Sequence, residues 1–146
     1  MKYNFKGINA EELSFKHNRV RLEPNTKLDI KPQFARQVRK VNGNDKIVFI
    51  ALSLKVESTE SEPKPFDIHV TLVGTFEVED LVAGSDEERD FLIDGTKILF
   101  PYLRAAVTNL TASAYVAPLN LPVIDGPIFP EDRDVYAFKA GGEELN

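Results

Sequence analysis

His17 and His69 are the two imidazoles of the chain, and imidazole is the first group to weigh for proton transfer or metal binding near neutral pH. They fall on different segments with no metal-like spacing, and His69 takes a polar position in an alternating strand. No serine stands in a nucleophile elbow. The carboxylates gather in acidic runs without the paired arrangement that a general acid and base need. Gly141-Gly142 belongs to a tail and does not form a phosphate loop. With no cysteine, disulfides and thiolate metal sites are excluded. These residues point away from an enzyme, and from any metal or cofactor.

The other side chains with recognisable chemistry are basic, aromatic or aliphatic. Arg36, Arg39 and Lys40 flank Phe34, a pattern that can hold single-stranded nucleic acid. A net charge of −5 and a pI near 5.1 argue against that partner. Charge is unevenly placed. The chain is basic from Lys16 to Lys46 and acidic from Glu57 to Asp94, so neighbouring strands would carry patches of both signs. Ten phenylalanines and an apolar stretch from Ala117 to Pro130 (Leu119, Leu121, Val123, Ile124, Ile128, Phe129) are more informative. Loops are usually polar because they cross the surface. An apolar loop either packs on its own domain or borders a site for apolar ligands.

Four strands must position these residues. The first is expected over about Tyr3 to Lys16, with Gly7 at a bulge. The second runs from about Thr26 to Val41, with Pro32 marking an edge or irregularity, and ends at the hairpin signal Asn42-Gly43-Asn44-Asp45. In the third, Lys46 to Glu57, Val48, Ile50, Leu52, Leu54 and Val56 share a face. In the fourth, Phe66 to Asp80, Ile68, Val70, Leu72, Phe76 and Val78 do the same, and Gly74 permits a bend or close contact. Period-two alternation with short links predicts an antiparallel meander with one covered face. Phe49, Ala51 and Val73 leave the other face more apolar than solvent requires, as at a subunit interface, under a covering segment or against a ligand.

A short helix is expected to start at the N-cap Ser85, with acids in its first turn, and to stop at Gly95. A main helix follows Pro101, since proline suits a first helical turn. There Tyr102, Ala106, Leu110 and Ala114 recur with helical period beside Leu103 and Val107. Ala105, Ala106, Ala112 and Ala114 keep this helix narrow, and Pro118 and Pro122 forbid its continuation. Only Glu131 to Lys139 can form another helix, a short one. The chain reads as one domain over 1–139 with a disordered tail over 140–146. It has no internal repeats and no apolar run near the roughly 18 residues of a membrane span. Its N-terminus lacks the apolar core of a secretory signal. The Asn109-Leu110-Thr111 triplet is then no glycosylation site, and a reducing cytoplasm fits.

Leu99-Phe100-Pro101-Tyr102-Leu103-Arg104 and Pro118-Leu119-Asn120-Leu121 together resemble the SecB family of export chaperones, which enters its first long helix by Leu-Phe-Pro-Tyr-x-Arg and leaves it by Pro-x-Leu-Asn-Leu. The resemblance extends from Leu13-Ser14-Phe15 to about Asp132. It implies an α+β fold, a four-stranded antiparallel sheet followed by helices, assembled as a dimer of dimers with the helices between two sheets. It also implies ATP-independent binding of unfolded preproteins in apolar grooves, in the cytoplasm and with no cofactor. Carried onto this chain, it suggests Phe49, Phe76, Val78, Tyr102, Leu119, Leu121, Ile124, Ile128 and Phe129 for the client. For subunit contacts it suggests Ile68, Val70, Leu72, Leu103, Ala106, Val107 and Leu110.

The chain departs from the family where the SecA motor docks. Of the corresponding positions Glu12, Lys16, Asp67 and His69, Lys16 and His69 are not acidic, and Asp67 replaces an apolar residue. The last helix is shortened by Gly126, Pro127 and Pro130, and the tail carries Glu143 and Glu144 instead of basic residues. Client binding is better supported than delivery to SecA. A chaperone dedicated to one client, such as an antitoxin, is the natural alternative. Another is an adaptor domain that fills the groove with its own chain.

Overall fold

The computed structural model describes residues 2–19, 30–117, 119–122, 128–129 and 132. Strands β1 (Tyr3–His17), β2 (Gln33–Val41), β3 (Asn44–Val56) and β4 (Phe66–Val78) precede a helix, α1 (Asp86–Ser113). The strands form one antiparallel sheet in the order β1-β4-β3-β2. An antiparallel sheet followed by a long helix agrees with the sequence reading. The meander, however, covers only β2, β3 and β4. β1 pairs with β4 along its whole length, from Tyr3 opposite Val78 to His17 opposite Phe66. Residues 18–32 are too many for a tight hairpin, so β1 is free to take the edge of β4 that the β3–β4 hairpin leaves open.

Local chemistry fixes the details. β2 begins at Gln33, directly after Pro32, which cannot donate to a ladder. The expected start near Thr26 lies outside the described residues. Gly43 turns the β2–β3 hairpin with φ +82, a conformation that costs glycine little. β1 carries two register shifts, between Phe5 and Gly7 and between Ala10 and Glu12. Lys6, beside the expected Gly7, and Glu11 are therefore the extra residues.

Alternate side chains of β3 and β4 face the helix and are buried, among them Ile50, Leu52, Ile68, Val70 and Phe76, each without solvent exposure. The helix contributes Phe91, Leu99, Leu103 and Val107 to the same core. Phe91 meets Phe76 edge-on, with ring centroids 5.4 Å apart. Ile68, Val70, Leu103 and Val107, expected at subunit contacts, are thus spent inside the chain's own core. Phe76 and Val78, expected to touch a client, are buried there too. The alternating faces lie as the sequence predicts, and the layer that covers them is the chain's own helix.

That helix is continuous, which corrects the expectation of two. Ser85 caps it by accepting from the Glu88 N–H at 3.1 Å, as the sequence suggests, and Asp86, Glu87 and Glu88 complement the dipole of the first turn. It passes through both Gly95 and Pro101. Gly95 is buried against the sheet, and a Cβ there would stand 2.6 Å from Ile50 Cδ1. The apolar face running from Phe91 to Val107 outweighs the local cost of the two residues, because packing supplies most helix stability in proteins. Tyr115 ends the helix in the left-handed region, φ 61, with its side chain in solvent. The short helix expected over 131–139 and the tail lie outside the described residues apart from Asp132.

Candidate functional site

Two apolar regions flank α1. The first is a trough of ≈ 470 Å³ between β1 and the outward side of the helix. Ile8, Ala10, Leu13, Leu72, Tyr102, Ala106 and Leu110 line it. Leu13 and Tyr102 are 53% and 47% exposed, high values for large apolar side chains. Alanines on this side keep the helix low, so the trough is shallow and open. Three residues expected at subunit contacts, Leu72, Ala106 and Leu110, come together here, and so does Tyr102, expected at a client.

The second region lies where β2, α1 and the segment after the helix meet. Phe34 of β2 faces Phe100 of α1, with centroids 6.1 Å apart. Leu121 and Phe129 join the same apolar cluster, each only 7% exposed, with Leu119 and Ile128 packed partly buried beside it. Helix hydroxyls hold the exit segment. Thr111 Oγ1 accepts from the Leu119 N–H at 2.9 Å, and Thr108 Oγ1 donates to the Leu119 carbonyl at 3.2 Å. Arg36 reaches from β2 with a forked contact to Asp132 (2.7 and 3.1 Å) and a bond to Thr96 Oγ1 (3.1 Å), while its guanidinium lies 4.8 Å from the Phe129 ring centre. Both partners of this ion pair are largely buried, with side chains 11% and 6% exposed. Four of the expected client residues, Leu119, Leu121, Ile128 and Phe129, therefore gather here. Ile124 lies outside the described residues. Thr96 and Asp132 escaped the sequence reading, which weighed Arg36 beside Phe34 only as a contact for nucleic acid. A basic residue on the inward strand face shared by Phe34 and Val38 was the available signal that Arg36 needs a buried partner.

The outer sheet face carries the remaining candidates. Phe49 lies there, on the opposite side of the sheet from the Phe34–Phe100 contact, opposite Arg39 in register. Arg39 spans the face to Glu11 on the far strand β1, at 2.6 and 3.1 Å. Ala51 of β3 is 2% exposed on this face. The hydrogen bond from Arg39, aided by its charge, holds the Glu11 carboxyl below the usual carboxylate range. Of the expected motor-docking positions, Glu12 and His69 line a shallow polar depression with Lys55 and Thr71. His69 Nε2 lies 3.4 Å from Glu57 Oε1. Lys16 is exposed opposite Asp67. Asp67 has an internal role, since its Oδ1 accepts from the Ser58 N–H at 2.8 Å and from Asn18 Nδ2 at 2.9 Å. These two hydrogen bonds, the backbone one foremost, lower its pKa. Among the described residues no group of histidines and carboxylates is arranged to hold a metal ion. None of the helices described is long and apolar enough to cross a membrane.

A four-stranded antiparallel sheet with one long helix on its inner face is the fold of SecB-like chaperones. A SecB-like chaperone of Mycobacterium tuberculosis, solved in complex with a peptide from an antitoxin, superposes with a TM-score of 0.71 at 17% identity, over 86% of this chain and 93% of that one. The model of the family described as preprotein translocase subunit SecB matches residues 4–129, and the chain belongs to that family. The protein-export protein SecB of Anaplasma phagocytophilum is 32% identical over 97 residues, 65% of this chain and 60% of that protein. The SecB of Anaplasma marginale is 28% identical over 65% of this chain and 51% of its own length. An uncharacterised protein of Methanocaldococcus jannaschii is 30% identical over 78% of this chain and 68% of its own. The match thus spans between half and two thirds of the SecB proteins of Anaplasma. The family and the fold are those of non-enzymatic chaperones.

Proposed function

We propose that the protein is an ATP-independent holdase that binds unfolded polypeptide beside α1, at the seam where the exit segment packs on Phe34 and Phe100. The observation that carries this reading is the exit segment itself. It is rich in apolar residues, tied to the helix by Thr108 and Thr111, and packed on the aromatics of β2 and α1. A wall made of a loop can part without unfolding the sheet. Each apolar side chain a client buries is worth roughly 1.5–3 kcal/mol, and ordering a flexible client removes much of that gain. Single contacts then bind weakly, and several on one long client add avidity. Folded proteins hide such segments, so the chemistry selects unfolded ones.

The trough between β1 and α1 suits a second copy of the chain. It is apolar, and Leu13 and Tyr102 are its most exposed large side chains. A dimer across it, paired again into a tetramer in the cytoplasm, is the assembly this reading includes. Delivery to SecA draws less support. Glu11 is paired with Arg39, Glu57 lies near His69 and Lys55, and Asp67 serves its own loop, so the outer face is not a free acidic surface. That observation favours, as a second reading, a chaperone for one client such as an antitoxin.

Light scattering of a slowly refolding model protein tests the proposal, with chromatography and multi-angle scattering on the same sample. Suppressed aggregation without ATP at near-stoichiometric tetramer supports the general holdase. A clean oligomer that leaves aggregation untouched sinks it and leaves the dedicated or adaptor roles.

A further inference from the structure

The β2–β3 hairpin closes through Asn42 and Gly43, with Val41 paired to Asn44. Asn42 is the only asparagine of the chain that is followed by glycine. Both residues are exposed, and a Cβ built on Gly43 would meet nothing within 4 Å. In a four-residue turn the closing hydrogen bond joins the first residue to the last, so the Gly43 N–H takes no part in it. Glycine also has no side chain to keep its nitrogen away from a neighbouring group. The Gly43 nitrogen and the side-chain carbonyl carbon of Asn42 can therefore meet in a five-membered ring.

Other asparagines are held. Asn18 Nδ2 donates to Asp67 Oδ1 at 2.9 Å, Asn44 Oδ1 accepts from the Lys46 N–H at 3.1 Å, and Asn120 Oδ1 accepts from Thr108 Oγ1 at 3.3 Å. Asn4 and Asn9 lie within β1 and Asn109 within α1, where regular backbone fixes the nitrogen that follows. The Asn42 carboxamide has no such bond among the described residues.

We infer that Asn42 is a site of spontaneous covalent modification, at which ring closure onto Gly43 yields a mixture of aspartyl and isoaspartyl forms. The Gly43 nitrogen gives its proton to solvent base and attacks Asn42 Cγ. The bond from Cγ to the side-chain nitrogen breaks, and that nitrogen takes a proton from solvent and leaves as ammonia. One water then opens the cyclic imide. Addition at Cγ restores the ordinary main chain with a carboxylate in place of the amide. Addition at the main-chain carbonyl gives the isoaspartyl form, in which the main chain runs through Cβ. That form adds a backbone atom to a two-residue link and puts the Val41–Asn44 pair out of register. Among the described strands β2 pairs with β3 alone, so its end loosens back to Lys40, which reaches Glu88 of the helix at 3.2 Å.

The test ages the full chain at mildly alkaline pH, digests it with trypsin and follows peptide 41–46 by mass spectrometry. Fragmentation separates Asn42 from Asn44. Conversion at Asn42 is expected to run about tenfold ahead of Asn44, a barrier difference of about 1.4 kcal/mol. A methyltransferase specific for isoaspartate should label the aged parent and leave aged Asn42→Gln unlabelled, since the longer side chain must close a six-membered ring. The isoaspartyl fraction, isolated by its added negative charge and its labelling, should melt a few degrees lower than fresh protein. Aged and fresh Asn42→Gln should melt together. Intact Asn42 after a free peptide of residues 40–46 has converted, or equal conversion of Asn42 and Asn44, overturns the site. An isoaspartyl fraction that melts with the fresh parent overturns the loosening of β2.

Discussion

Leu99 of the helix rests on Gly74 of β4 so closely that a Cβ on Gly74 would stand 2.6 Å from one Leu99 methyl and 3.1 Å from the other. The missing side chain is what lets the helix settle onto the centre of the sheet. Gly74→Ala forces Leu99 and Phe76 apart and should cost about 1–3 kcal/mol by overpacking, read as a lower urea midpoint. Gly95→Ala should cost less. It displaces mainly the end of Ile50, and alanine gains about 1 kcal/mol of helix propensity.

Pro101 lies inside α1 with its ring exposed. It denies the Lys97 carbonyl its usual helical donor. Pro101→Ala restores that donor and should stabilise the protein by about 1–2 kcal/mol, the helical gain less the entropy that proline removes from the unfolded chain. A rise in the melting temperature is the expected readout, and a fall would mean that the proline is needed to aim the second half of the helix.

The loop between β3 and β4 depends on the ionised form of Asp67. Its folded pKa lies below the ordinary 3.8, so the unfolded chain takes up the proton first as pH falls. The stabilisation is complete above the ordinary value and disappears as pH drops through the folded one. Asp67→Asn should cost about 1 kcal/mol at pH 7, a modest figure because the carboxylate is partly solvated. The gap between variant and parent should close below about pH 4. Melting curves across that range decide it, and a gap that persists in acid would show that the carboxylate charge contributes nothing.

Leu13→Asp and Ala105→Arg place charge in the trough between β1 and α1 at exposed positions outside the buried core. Each should lower the mass seen by multi-angle scattering to that of a smaller assembly while leaving the helical signal intact. Unchanged mass for both would remove this trough as the face between copies.

Much of the architecture was legible because two short-range signals dominate it. Alternation assigned the buried faces of β3 and β4 residue by residue, and Ser85 and Gly43 sit where cap and turn chemistry put them. Alternation does not say which strand is a neighbour, however. The connection after His17 is long enough for β1 and β2 to lie at opposite edges of the sheet, but length alone names no partner. Gly95 and Pro101 looked like helix boundaries because their local preferences are strong, and the packing that overrides them is tertiary. The candidate site was legible in its apolar part, Leu119, Leu121, Ile128 and Phe129, which needs only composition. Its polar part was not. Arg36 and Asp132 lie far apart in sequence, and nothing local to either residue announces the other.

The strand order also shapes how the chain is made. β1 is synthesised first, but its hydrogen-bonding partner β4 is complete only at Val78. At about 5–20 residues per second on the ribosome, β1 waits for several seconds as an unpaired edge bearing Phe5, Ile8, Leu13 and Phe15. Flat apolar edges of that kind invite pairing with other chains, and bulges are one device that discourages it. The extra residues Lys6 and Glu11 interrupt the strand at two points and place a charge at each. Along its first-made strand, the nascent chain thus carries a built-in guard against pairing with other chains before β4 arrives.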